Sequence, residues 1–117
     1  MKTLKNKIPL LAFFVLILSS SALAQDGNVV KVQGRVMSLD LYRNEIAVNE
    51  RLFVLNSQTL IKDEKDSSIG MDRLKPKAWV YVVGENNRNV KKLVAKRIYL
   101  LPGYVEREKR HLYPFMD

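Results

Sequence analysis

The chain has no cysteine and a single histidine among its 117 residues. Without thiols there is no disulfide, no thiolate nucleophile and no zinc–cysteine cluster, and one imidazole cannot build a paired-histidine metal motif or a Cys–His centre. His111 stands in a charged C-terminal stretch and reads as a solvated surface residue. The densest acids, Asp63, Glu64, Asp66 and Asp72, lack the alternate spacing and distal glutamate of an EF-hand and have Lys62 and Lys65 among them, so they read as a solvated loop. Gly70-Met71-Asp72-Arg73-Leu74-Lys75 echoes a P-loop but lacks its second glycine and its hydroxyl residue. Repeats, low-complexity tracts and long linkers are missing too. The expectation is a protein with no catalytic residues, no metal ligands and no cofactor.

What is present begins with a leader. Lys2, Lys5 and Lys7 precede an apolar run from Ile8 to Leu18, and Ser19 to Ala24 supply small residues ending in Ala-x-Ala. This is the pattern of a secretory signal peptide over residues 1–24. The run falls short of the roughly 20 residues that a spanning helix needs, and no later stretch comes closer. The expected mature chain starts at Gln25 and works outside the cytoplasm, in the periplasm or the medium. Removing 24 of 117 residues leaves 93, enough for one small domain with one core. The formal charge is +8 from 20 basic and 12 acidic residues, and loss of the three leader lysines leaves 17 against 12. A mild basic excess permits anionic partners without requiring them.

The mature region reads as short strands between turn residues. Val30, Val32 and Val36 alternate with Lys31, Gln33 and Arg35, the period of a half-buried strand. A polar corner at Asp40 to Asn44 leads to a second strand with Ile46 and Val48, and Arg51 to Ile61 forms a third run. Ser68 to Leu74 suits one or two helical turns ending before Pro76. Ala78 to Gly84 is the fourth strand, Asn86 to Asn89 a turn, and Val90 to Leu101 the fifth strand. Three strands, a short helical plug and two strands is the order of an all-β, five-stranded OB-like Greek-key barrel, here over residues 25–101. Gly34, inside the first strand, fits the sharp coil that lets one long strand pair on both sides.

The succession "GRVMSLD", "NEIAVNERLFVLNSQTLI", "GMDRLKPKAWVYVVG" and "LVAKRIYLL" resembles a group of uncharacterised small β-barrel domains of exported bacterial proteins. More distantly it is similar to the periplasmic bacterial OB-fold family. The likeness covers Val30 to Leu101 and includes the Gln58-Thr59 step and the Ala95-x-x-Ile98 ending. It implies a barrel and an extracytoplasmic setting, and it brings no catalytic residues.

A hydrolase would need two carboxylates among Asp40, Glu45, Glu50 and Glu85 to converge, yet all four flank turns. A barrel of about 75 residues also has little volume for a deep cleft. Binding is the stronger class. OB barrels place ligands between the loop joining strands one and two and the loop joining strands four and five. Tyr42, Arg43, Arg88, Lys91 and Lys92 fall in or beside those loops and form the expected ligand-binding rim, suited to an envelope polyanion or a protein partner. Nucleic acid is the less favoured ligand, because it needs exposed aromatic platforms and strands two and three offer only Phe53. Trp79, Tyr81 and Tyr99 are expected in the core or over its ends. Pro102-Gly103 stops the fifth strand, and the charged, aromatic tail 102–117 has three open fates: free, docked on its own barrel, or held by a partner.

Overall fold

The computed structural model describes residues 28–87 and 92–116. The expected leader, the start at Gln25, and Arg88 and Lys91 of the expected rim lie outside the described residues. Six strands follow one another: β1 (Val29–Asp40), β2 (Glu45–Val48), β3 (Arg51–Val54), β4 (Leu60–Lys62), β5 (Trp79–Asn87) and β6 (Lys92–Leu101). They form one sheet in the order β3-β2-β1-β5-β6-β4, and a further pairing of β3 with β6 joins the sheet to itself. β3 and β4 run parallel to β6, and the other neighbours are antiparallel. The architecture is all-β and compatible with an OB-like barrel whose third strand is interrupted.

That interruption corrects the expected count of five strands. Between the pairs Val54↔Val94 and Leu60↔Arg97, the chain advances six residues on its own side and three on β6. The surplus loops out as a turn in which the Asn56 side chain accepts the Gln58 N–H at 2.9 Å, and the Thr59 hydroxyl donates to the Ala95 carbonyl at 2.7 Å. The Gln58-Thr59 step is thus a pinned turn rather than mid-strand. A second correction concerns Asn86 and Asn87, expected in a turn. They pair with Leu93 and Lys92, so the β5–β6 ladder overrides their turn preference. The helical segment is a single 3-10 turn, Met71–Arg73, with no side-chain cap, and Leu74 just after it plugs the barrel.

The core is built by the inward residues of each strand. Val36 from β1, Ile46 and Val48 from β2, Phe53 from β3, Val80 and Val82 from β5, and Ala95 and Ile98 from β6 meet Leu55 and Leu74. Burying a large aliphatic or aromatic side chain contributes about 1.5–3 kcal/mol. Gly84 belongs to this packing, since a Cβ there would come within 2.7 Å of the Phe53 ring.

β1 changes partners along its length. Residues Val29 to Arg35 pair with β5, and Val36 to Asp40 pair with β2 across a bulge between Val36 and Ser38. Where the change occurs, Asn49 completes the edge: its side chain accepts the Arg35 N–H at 3.2 Å and donates to the Gln33 carbonyl at 3.4 Å, and its N–H donates to the Arg35 carbonyl at 3.0 Å. Gly34 lies under that carboxamide, and a Cβ on it would sit 2.5 Å from the carboxamide atoms. The glycine therefore leaves room for the Asn49 carboxamide at the crossover of a strand paired on both sides.

Of the three fates open to the tail, the structure shows docking. The outer face of β5 and β6 carries Tyr81, Val83, Tyr99 and Leu101, and the tail covers it with buried Val105 and Met116. The Gln33 side chain grips the Val105 backbone in both senses, donating to its carbonyl at 3.2 Å and accepting its N–H at 2.6 Å. Phe115 stacks on Tyr99 with centroids 3.9 Å apart and planes 5° from parallel. Tyr104 meets Trp79 edge-on at 5.4 Å, and the Arg35 guanidinium lies over the Trp79 ring, 5.1 Å from its centroid. Tyr81 and Tyr99 are thus buried in a second apolar cluster between the outer face of the sheet and the tail, with Trp79 partly buried against it.

Candidate functional site

The β1–β2 turn is a rigid tip. The Asp40 carboxylate accepts the N–H groups of Tyr42 and Arg43 at 3.0 and 3.1 Å, Asn44 takes a left-handed conformation (φ 53°), and the Leu55 N–H ties the Asn44 carbonyl to the end of β3 at 2.7 Å. Aspartate at the start and asparagine at the left-handed position are what such a turn asks for. Held this way, Leu41 is 60% exposed and Tyr42 fully so. Behind them, Leu39 and Leu41 face Met71, Leu74 and Pro76 across an apolar groove of about 350 Å³, with Asp72 and Lys75 at its edge.

Of the expected rim, the structure brings Tyr42, Arg43 and Lys92 to one end of the sheet. Lys92, the first residue of β6, reaches Glu45, the first residue after the β1–β2 turn, with 3.5 Å between Nζ and Oε2. Arg43 approaches Asp40 at 4.0 Å. Both described cations therefore face a carboxylate. Surface pairs of this kind are worth about 0–1 kcal/mol, but each carboxylate offsets the charge its cation would offer an anion.

The other expected chemistry is dispersed. Phe53, the one aromatic on β2 and β3, is 0% exposed in the core and offers no stacking platform. Asp40, Glu45 and Glu85 each face a cation, Arg43, Lys92 and Lys96 respectively, rather than one another. In the acidic loop, Asp63 accepts the N–H groups of Ser67 and Lys65 at 3.0 and 2.9 Å, and Lys62 pairs with Asp66 at 3.1 Å. The Ser67 hydrogen bond is the main reason that the Asp63 carboxyl is held below the usual carboxylate range. Its acceptor capacity serves the loop's own backbone. His111 donates its Nδ1–H to the Glu108 carbonyl, 2.8 Å away in an exposed 3-10 turn. Among the described residues no helix is long and apolar enough to cross a membrane.

Sequence reasoning missed the apolar groove, whose two walls lie some thirty residues apart in the chain. The one local signal was the Leu41-Tyr42 pair inside an otherwise polar corner.

No protein-family model matches the chain, and no curated protein matches it. Among solved structures it is similar to the fimbrial biogenesis protein PilY2 of Pseudomonas aeruginosa PAO1, at 17% identity and a TM-score of 0.53, over 76% of this chain and 96% of that one. A fragment of a CusF variant from Escherichia coli, solved with Cu(II), is 18% identical with a TM-score of 0.46, over 62% of this chain and 91% of its own. The likeness to PilY2 extends to the fold.

Proposed function

We propose that this chain is an exported, non-enzymatic binding or accessory module of the cell envelope that engages a protein partner through the tip of its β1–β2 turn. The observation that carries this reading is the exposed Leu41 at an apolar groove, with the fully exposed Tyr42 next to it on a capped turn. A rigid aromatic and an aliphatic side chain beside a pocket are the usual makings of an interface anchor. Tyr42, Arg43 and Lys92 set the polar border, and Arg88 and Lys91, outside the described residues, are proposed as ligand-binding residues with them on the strength of the sequence. Because Arg43 and Lys92 each face a carboxylate, a protein suits this border better than a polyanion. The fold likeness to a protein named for fimbrial biogenesis accords with a protein partner. Export rests on the leader pattern, residues 1–24, with the barrel over 25–101 and the tail over 102–117.

Pull-down from the native envelope tests the reading. Wild-type protein should recover a partner that the Leu41→Ser/Tyr42→Ser variant does not, while a Lys62→Ala/Lys65→Ala control recovers it normally. Equal recovery by all three would refute the proposed face. Intact-mass analysis of the recovered chain should show a start at Gln25, and retention of residues 1–24 would overturn the cleaved, soluble form in favour of an uncleaved anchor.

A further inference from the structure

Beside the half of the outer face that the tail covers, a second groove of about 600 Å³ crosses β1, β5, β6 and β4. Its floor is apolar: Val83 is buried, and Val29 on β1 and Leu60 on β4 stand 51% and 50% exposed on its two sides. Lys31, Lys96 and Arg97 line it against a single carboxylate, Glu85, which Lys96 faces at 3.8 Å. Among the described residues Arg97 has no ion pair.

The cations are concentrated there by a backbone irregularity. Val83 pairs with Arg97 and Gly84 with Ala95, which leaves Lys96 as the extra residue of a bulge in β6. In a regular strand, consecutive side chains point to opposite faces. The bulge instead lets Lys96 and Arg97 line one groove, the re-aiming for which bulges are used beside binding sites. Arg97 also lines the adjoining groove with Glu64, Asp66, Tyr99 and Phe115, neither carboxylate within ion-pair distance of it, so the surface continues into the bed in which the tail lies. That bed already holds an apolar, aromatic segment pinned by its backbone to Gln33.

We propose that this bare half of the outer face binds an extended segment of a protein partner that carries both aliphatic side chains and carboxylates. Aliphatic groups cover the half-exposed Val29 and Leu60 on either side of the already buried Val83, and a carboxylate meets the guanidinium of Arg97, where charge-assisted, two-pronged hydrogen bonding is available, with Lys96 beside it. Three inter-strand steps of about 4.8 Å span roughly 14 Å, the length of about four extended residues. No residue of the β1–β2 rim lines this groove, so the site stands or falls independently of the proposed role of the turn.

The test titrates the ¹⁵N-labelled chain, as recovered from its producing cell, with acetyl-Val-Glu-Val-Glu-Val-amide, its Lys-for-Glu counterpart, and polyphosphate. The acidic peptide should move the amide signals of Val29, Lys31, Leu60, Val83 and Arg97. Lys96→Gln/Arg97→Gln should weaken its binding by about tenfold or more with the remaining spectrum unchanged, and Arg97→Lys should fall between. Absence of shifts, equal shifts with the lysine peptide or polyphosphate, or undiminished binding by the double variant would each overturn the assignment.

Discussion

The contact between Gly34 and Asn49 makes a sharp quantitative test of the fold. In Gly34→Ala the new methyl meets the Asn49 carboxamide at 2.5 Å, so that side chain must swing away and give up its bonds to the Arg35 N–H and the Gln33 carbonyl. Both bonds are exposed and long, so together they are worth about 1–2 kcal/mol. Alanine recovers about 0.4–1 kcal/mol by restricting the unfolded chain. The net loss should be up to about 1.6 kcal/mol, centred on about 0.8, or a few degrees in Tm for a domain of this size, where 1 kcal/mol moves Tm by about 4–8 °C. In an Asn49→Gly background the carboxamide is gone and glycine adopts the φ of 55° without strain. There the same Gly34→Ala change should be neutral or stabilising by up to about 1 kcal/mol. Urea and thermal unfolding of the four chains, followed by circular dichroism, give the coupling directly. An equal cost of Gly34→Ala in both backgrounds would refute the close-approach account and leave the bend alone as the glycine's reason.

Phe115→Ala removes a half-buried ring stacked on Tyr99 and should cost about 1–3 kcal/mol. Hydrogen exchange should speed up across residues 104–116 before the barrel strands respond, and uniform acceleration of both would refute separate docking of the tail. Asp63 is charged when it accepts the Ser67 and Lys65 N–H groups, so its carboxyl titrates below the ordinary range. Its contribution to the loop is full above the unfolded carboxyl's titration and is lost as pH falls through the lower, folded one. An NMR titration should show the Asp63 carboxyl and the Ser67 amide moving together at that lower midpoint. A midpoint at or above that of a free aspartate would contradict the hydrogen-bonded loop.

Periodicity and turn chemistry alone determined that this is an all-β domain with a core inside its sheet. The alternating valines of β1, Ile46 and Val48, and Val80 and Val82 each mark a buried side of a strand, and Asp40 to Asn44 announce a turn, because these are local preferences readable a few residues at a time. Of the candidate rim, the residues were legible but their neutralisation by Asp40 and Glu45 was not, since Lys92 and Glu45 meet only through the β2–β3–β6 pairing. Tertiary structure also decided the break between β3 and β4, the strand state of Asn86 and Asn87, and the docking of the tail on Tyr81 and Tyr99. The Lys96 bulge and the Asn49 carboxamide over Gly34 belong with these. Each depends on which residue stands opposite which across the sheet. An alternating pattern says which side of a strand is apolar, whereas register and partner are chosen by contacts between segments far apart in the chain.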